Sequence, residues 1–334
     1  MKNTILITGA AGMIGSRFIE YLLNNFSNKY EIIGVDSLLG GKTSNVPDGI
    51  ICYYKDLVDG DSVNEIFDRH KIDYVFHFAA YAAEGLSGFK RTFFHTNNVI
   101  ATGNIINNCI NYKVKRLVFM SSMSVYGDHG VKSFDENDTP HPLDPYAIGK
   151  YMCELDIQSA GYQFGLDWCI IRPHNVYGPK QNIWDKYRNV LGIWMYQALN
   201  NQPNLIYGKG DSIRSFTYVD DILPYILEGA INEKCSKEII NIGANKGYSI
   251  QEAYDIFTEV TGYNNPKYLE DRYEVKHAVP SHEKAVMLLD YKDKTDLREG
   301  LTKMWEWAKQ QPHRPIESWD NYEISKDLLY SYWK

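Results

Sequence analysis

The stretch that most limits how this chain can fold is its opening, Thr4 to Gly15, TILITGAAGMIG. Ile5, Leu6 and Ile7 form a short apolar run, as a buried parallel strand does. Gly9, Gly12 and Gly15 follow at a spacing of three, and Phe18, Ile19, Leu22, Leu23 and Phe26 then recur at helical period. Strand, glycine turn and helix make one unit. Glycine lets the turn bend sharply and lets a pyrophosphate approach the backbone, while the helix that opens at Met13 and Ile14 offers unpaired N–H groups and a partial positive charge. The run is GxxGxxG, a variant of the general GxGxxG fingerprint.

A second apolar run, Ile32-Ile33-Gly34-Val35, ends on Asp36, about 20 residues past the last glycine, where the fingerprint expects a ribose ligand. A carboxylate there accepts hydrogen bonds from the ribose hydroxyls and repels a 2′-phosphate, and no arginine stands at 37 or 38. The cofactor expected is NAD rather than NADP.

With 334 residues the chain can hold two domains, or one domain and a cap. A net charge of −7 speaks against nucleic acid or an anionic membrane as partner, so any phosphate site must be local. Cys52, Cys109, Cys153, Cys169 and Cys235 are scattered without CxxC or metal spacing, and the histidines form no HExxH pair. Reduced core thiols in a cytoplasmic protein without a metal are expected. No secretory leader and no membrane-length apolar run is read.

Strand-like runs at 4–8, 31–36, 50–54, 73–79, 115–121 and 167–172 alternate with helical patterns at 61–70, 92–111 and 146–163. That alternation predicts a doubly wound parallel α/β sheet, to which Glu238-Ile239-Ile240-Asn241-Ile242 adds a strand. After Pro173 the loops lengthen, and helices are expected at 185–201 and 250–262. The expected division is a Rossmann domain of 1–173 with about 236–245, and a smaller discontinuous α/β cap of about 174–235 with 246–334. Ligands bind at the carboxyl ends of parallel strands, here Gly9 to Gly15, Asp36, Asp56-Leu57, Ala79-Ala80-Tyr81, Ser121-Ser122 and Arg172 to Asn175.

Tyr146 and Lys150 form Tyr-x-x-x-Lys just after Pro145, which puts both side chains on one helix face. An ammonium beside a phenol favours the phenolate, and such a tyrosine can take a proton from a sugar hydroxyl near neutral pH. Among 26 tyrosines the pair alone is unremarkable; its weight comes from the glycine turn and from Ser122, which ends a strand 24 residues upstream.

The chain resembles the extended short-chain dehydrogenase/reductase family, in particular its NAD-dependent nucleotide-sugar epimerases and dehydratases, with the UDP-glucose (UDP-galactose) 4-epimerase group the most alike. The segments carrying the resemblance are TGAAGMIG (8–15), Asp36, Lys55-Asp56-Leu57, HFAAYAAEGLS (77–87), Asn97-Asn98-Val99, SSMSVYG (121–127), PYAIGK (145–150), RPHNVYGP (172–179), RSFTYVDD (214–221) and EVKHA (274–278). The resemblance implies Ser122, Tyr146 and Lys150 as the catalytic trio. It implies Asp56 and Leu57 at the adenine, Ala79, Ala80 and Tyr81 beside the cofactor phosphates and ribose, and Asn97, Pro173 and His174 near the nicotinamide. Ser124 would touch the substrate, Asn175 would meet the sugar diphosphate, Asn189 and Val190 would clamp the nucleotide, and Arg214 and Arg272 would grip its diphosphate. A homodimer formed through the helices at 92–111 and 146–163 is also implied, although their apolar excess fits packing on the sheet equally well.

Relatives that eliminate water or CO2 carry an acid just after the Ser/Thr of the fifth strand. Here Met123 and Ser124 follow Ser122. Oxidation and re-reduction at C4 is therefore the expected reaction, with a dehydratase, a decarboxylase or a 3,5-epimerase as the alternatives within the family, and a non-catalytic NAD-binding protein, disfavoured by the retained Ser122, Tyr146 and Lys150, as the alternative outside it. Two departures bear on the sugar. Ala82 stands where UDP-galactose epimerases carry a lysine, and Ala278 stands near a position where some relatives place a bulky aromatic. A roomy pocket for an N-acetyl or uronate sugar is one reading of both. Lys186-Tyr187-Arg188 is either positive charge near the nucleotide or an exposed helix face.

Overall fold

The computed structural model of the chain describes residues 2–130, 133–272, 274–317 and 321–333. Seven strands form one parallel sheet: β1 (Asn3–Thr8), β2 (Tyr30–Val35), β3 (Ile51–Tyr53), β4 (Tyr74–His77), β5 (Arg116–Met120), β6 (Trp168–Pro173) and β7 (Glu238–Ile242). Their order across the sheet is β3-β2-β1-β4-β5-β6-β7. The strand order reverses between β1 and β4, which opens a crevice at the carboxyl ends of those strands.

Alternation along the strands divides the core. Ile5 and Ile7 face the helices Met13–Phe26, Val219–Ile231 and Glu283–Leu289. Leu6 and Ile33 face the helices Gly60–Arg69, Ala101–Asn111 and Pro145–Phe164. The sheet is thus covered on both sides, as its near-continuous apolar strands require.

Two expected elements differ in ways that shape the site. The fourth strand stops at His77: the Phe78 amide is shared between the Thr8 carbonyl, at 3.3 Å, and the Thr8 hydroxyl, at 3.1 Å, and the Ala79 amide turns to that hydroxyl at 3.0 Å. The helix expected over 92–111 runs as Arg91–Phe94, a π-helical stretch His95–Ile100, and Ala101–Asn111. The π stretch carries Asn97 and Asn98, and the Asn98 carboxamide oxygen accepts from the Tyr81 amide at 2.8 Å.

A separate core joins Tyr177 and Trp184 to Leu191, Trp194, Phe257 and Leu301 of the helices Val190–Leu199, Ile250–Thr261 and Leu297–Lys309. The helix expected from 185 begins only at Val190. Asp185 takes the Tyr187 amide in a side-chain turn, and Asn189 caps the helix by accepting from Leu191 N at 3.0 Å. Short strands that the sequence did not announce pair within the cap, among them Ile213–Ser215 between Gly247–Ser249 and His277–Ala278.

Val219, Ile222, Leu223, Ile226 and Leu227 pack in the core of the sheet, as do Ala285 and Tyr291, although both segments were assigned to the cap. The helical period was present in 219–231, but Pro224 inside it and Asp220-Asp221 at its start obscured the pattern.

One polar network crosses this core. Arg172, 2% exposed in β6, donates to the fully buried Glu154 through Nε at 2.9 Å and Nη2 at 2.6 Å. The Ser121 hydroxyl donates to the same carboxylate. Glu154→Ala leaves a guanidinium buried without its counter-charge and should cost about 3–5 kcal/mol. A marked fall in thermal midpoint against wild type is expected, and an unchanged midpoint would refute that role.

Candidate active site

A single cavity of about 750 Å³ runs along the carboxyl ends of the strands to the cap. At one end is the glycine turn. Gly9 has φ +71° and donates to the Val35 carbonyl at 2.9 Å. A Cβ on Gly9 would lie 2.9 Å from the Ala79 amide, and one on Gly15 would lie 2.1 Å from the Gly9 carbonyl oxygen. Only glycine allows the helix to start this close to β1. Gly12 caps that helix without a side-chain hydrogen bond, and no acidic residue stands in its first turn. The leading N–H groups therefore face the cavity, lined here by Gly9, Gly12, Met13, Ile14 and Gly15. These residues fit the pyrophosphate of a dinucleotide.

Asp36 follows β2 and is almost fully buried. Its oxygens accept from Ala11 N at 2.9 Å and Leu38 N at 2.7 Å. Burial pushes its pKa up, against those two amides and the charge of Arg188. Asp56, Leu57, Ala79, Ala80, Tyr81 and Asn97 line the same cavity. The Tyr81 ring carries the Arg188 guanidinium 4.2 Å from its centroid, and its hydroxyl donates to Asp185 at 2.6 Å. Arg188 also pairs with Asp185 at 3.0 Å and donates to the Ala82 carbonyl. Of the segment left open by the sequence, Tyr187 and Arg188 line the cavity, and Lys186 sits over the Tyr187 ring.

Ser122, Tyr146 and Lys150 meet on the cavity wall beside Pro173. Ser122 comes from the end of β5, and the other two come from the helix capped by Asp144, whose carboxylate accepts from Ala147 N at 3.0 Å. Ser122 Oγ accepts from Ser124 N at 3.1 Å, and its side chain acts to lower the Tyr146 phenol's pKa. The electrostatics differ from expectation. Burial, with the charges of Glu84 and Asp144, drives the phenol's pKa well up, and Ser122 and Arg188 only partly oppose it. Lys150 donates to the Met120 carbonyl at 2.7 Å over the Phe119 ring, and burial brings its own pKa down to about 8. Without a cofactor the phenol therefore stays protonated at neutral pH.

At the cap end stand Asn175, Asn189, Val190, Arg214 and Arg272. Asn175, at φ +29°, donates to the Ser215 carbonyl at 3.0 Å. Arg272 holds Glu274 through Nε at 2.9 Å and Nη2 at 2.8 Å and lies over the Tyr207 ring, while Arg214 approaches Glu274 to 3.8 Å. Burial pushes Glu274 up, but the two arginines outweigh it and hold the carboxyl below its ordinary range.

Three expected residues lie off the cavity lining. The Ser124 hydroxyl turns inward and donates to Ser122 at 2.9 Å, because the chain winds into a 3-10 turn directly after Ser122. Ala278 is buried in its strand, paired with Arg214. His174 is fully buried and faces His282, with the two Nε2 atoms 2.7 Å apart. His282 Nδ1 donates to Asn245 at 2.9 Å, so its Nε2 accepts from His174, whose Nδ1 has no partner. Sequence reasoning also missed cavity residues. Glu84 and Asp144 sit beside Tyr146, and Tyr330 reaches the cavity from the C-terminal segment. Asp144 was legible as the cap two residues before Tyr146; nothing local marks Glu84 or Tyr330.

The buried histidines carry a pH consequence. Desolvation lowers His77 to about 3, His282 to about 4, and His174 well below its ordinary value. Below the ordinary value of 6.5 the unfolded chain binds protons that the folded chain refuses. Their contribution is intact above that value and is lost as pH falls toward the folded values. The thermal midpoint should drop steadily below about pH 6.5, and His282→Gln should flatten that slope; an equal slope in both proteins would overturn this account.

The model of the NAD dependent epimerase/dehydratase family matches residues 5–243. A UDP-glucose 4-epimerase of Halalkalibacterium halodurans is 28% identical over 326 residues, covering 92% of this chain and 96% of its own. The crystal structure of UDP-glucose 4-epimerase from Thermotoga maritima with UDP-glucose is 32% identical, covers 92% of this chain and 99% of its own, and superposes with a TM-score of 0.86. That of UDP-glucuronic acid 4-epimerase from Bacillus cereus, with UDP-glucuronic acid and NAD, is 28% identical over 92% of this chain and 99% of its own, with a TM-score of 0.83. A glycine cradle at the switch point of the sheet is what a dinucleotide-dependent enzyme needs, and this chain belongs to the NAD-dependent epimerase/dehydratase family.

Proposed function

We propose that the chain is an NAD-dependent 4-epimerase of UDP-linked sugars, UDP-glucose and UDP-galactose first among them. The observation that carries this is one cavity in which Tyr146, Ser122 and Lys150 stand between a dinucleotide cradle and the Arg214–Arg272 pair, with no acid directly after Ser122. The similarity to UDP-sugar 4-epimerases supports the same choice.

In this reading Gly9, Gly12, Met13, Ile14 and Gly15 hold the NAD pyrophosphate, Asp36 its adenine ribose, and Asp56 and Leu57 its adenine. Ala79, Ala80, Tyr81, Asn97 and Pro173 flank the rest. Bound NAD supplies reversible hydride acceptance at C4. Every other task falls to the chain. Tyr146 Oη removes the 4-hydroxyl proton and later returns it, and Ser122 holds the reacting oxygen. Lys150 keeps a positive charge beneath the phenol, and its charge is retained below about pH 8. Arg214, Arg272, Asn189 and Val190 hold the nucleotide while the 4-keto sugar presents its other face, with Asn175 at the sugar diphosphate. The Rossmann part carries the cofactor and the cap carries the nucleotide-sugar.

The chain acts as a cytoplasmic homodimer in this proposal. Ile100, Ile148, Met152 and Leu155 remain exposed on the two helices expected at the interface, whereas Ile105, Ile106 and Ile157 are spent in the core. Among the described residues no helix is long and apolar enough to cross a membrane.

One observation favours a second reading. Glu84 and Asp144 place carboxyl groups near Tyr146, and an elimination, as in a 4,6-dehydratase, uses such groups. Product NMR separates the two: inversion at C4 is expected, and loss of water or CO2, or solvent exchange at C3 or C5, would refute epimerisation. Tyr146→Phe should lower turnover about 10²–10⁴-fold while the purified protein still releases NAD on denaturation. Full turnover by that variant would remove Tyr146 from the mechanism.

A further inference from the structure

Glu84 has no role in the mechanism above, yet its position is unusual. It opens the short turn Glu84–Ser87 after β4 and lines the cavity, where solvent reaches it. The Ser87 hydroxyl, within hydrogen-bond distance of both the Glu84 carbonyl (2.7 Å) and Asp144 (3.1 Å), fastens this turn to the cap of the catalytic helix. The Asp144 carboxylate, on the same cavity wall, acts on the Glu84 carboxyl as a like charge. On the other side, a Cβ on the next residue, Gly85, would lie 3.6 Å from Arg272 Nη1. Glu84 is close enough to Tyr146 to raise the phenol's pKa, and close enough to Arg214 and Arg272 for both to act on its own. Glu84 lines the same cavity as Tyr146, Arg214 and Arg272, to which the sugar's C4 oxygen and diphosphate are assigned above.

We propose that Glu84 is a specificity residue of the sugar subsite, a carboxyl beside Asp144 that accepts uncharged hexoses and resists hexuronates. This rests on the UDP-sugar reading. A carboxyl group hydrogen-bonds neighbouring hydroxyls of a neutral hexose well. A second carboxylate on the sugar meets like charge instead, and the nearby cations are already committed. Arg272 and Arg214 serve Glu274 and would serve the diphosphate, and Arg188 is held by Asp185. The groups facing Glu84 are Asp144, Glu274, Tyr146, Arg214 and Arg272. Partial loss of water inside the cavity, with Asp144 and Glu274, pushes its pKa up and the arginines pull it down, with a balance at about 7. Resistance to a uronate should therefore weaken in acid, where Glu84 carries its proton.

The test is calorimetric binding of UDP, UDP-glucose and UDP-glucuronate to the NAD-loaded full chain at pH 6 and pH 8, for wild type and Glu84→Gln. At pH 8 the wild type should bind UDP-glucose about tenfold or more tightly than UDP-glucuronate. That ratio should shrink at pH 6, and in Glu84→Gln it should be small at both values. A wild-type ratio near one at pH 8, or a ratio unaffected by both pH and substitution, would overturn the proposal. So would a Glu84→Gln protein that keeps the wild-type ratio but loses turnover, since Glu84 would then be acting in the chemistry. If Glu84→Gln fails to fold, the wild-type pH comparison decides alone. Failure of wild type to bind UDP itself would overturn the UDP-sugar reading, and this proposal with it.

Discussion

The buried pair of Arg172 and Glu154 is the interaction on which the site's geometry depends. Arg172 belongs to β6, which ends in Pro173; Glu154 belongs to the helix that carries Tyr146 and Lys150; Ser121, bound to the same carboxylate, immediately precedes Ser122. Three separate elements are thus fixed at one point directly behind the catalytic wall. A fork-shaped guanidinium meeting a carboxylate at two atoms fixes orientation as well as distance. Apolar packing alone would hold the helix on the sheet but would leave its register along the strand softer.

The glycine turn plays the same part at the other end of the cavity. The close approach of Gly15 to the Gly9 carbonyl, and of Gly9 to the start of the segment after β4, brings a helix terminus to the lip of the sheet. Positive potential from that terminus needs no side chain. The cap end uses the opposite device. Its arginines are real charges, and Glu274 holds them in place before any diphosphate arrives. The guanidiniums are already oriented, so an anion that bound them would find little side-chain freedom left to lose.

Much of the fold was legible because its signals are local. Six strands, the helices at 61–70 and 146–163 and the seventh strand were read within one or two residues, from apolar runs and helical spacing. What was misread was non-local. Past the early end of the fourth strand, the amides of Phe78 and Ala79 meet Thr8, roughly 70 residues away. Helix Val219–Ile231 packs on the sheet although it lies within the cap's span of sequence, and its Pro224 hid the period. His174 follows a strand's carboxyl end, where a ligand-facing side chain was expected, yet it turns to His282, 108 residues on.

Sequence by itself determined the strand–glycine–helix unit, the acid at the second strand, the Tyr-x-x-x-Lys face and the serine upstream, because each depends on residue type and on spacings the backbone fixes within a turn or a strand. Only the tertiary structure decided which charges surround the phenol. Glu84, Asp144, Arg188 and the burial of the phenol itself act on Tyr146 from elements far apart in the chain. A pKa answers to every charge within several ångströms and to the water excluded around it, and neither quantity is written in any short stretch of residues.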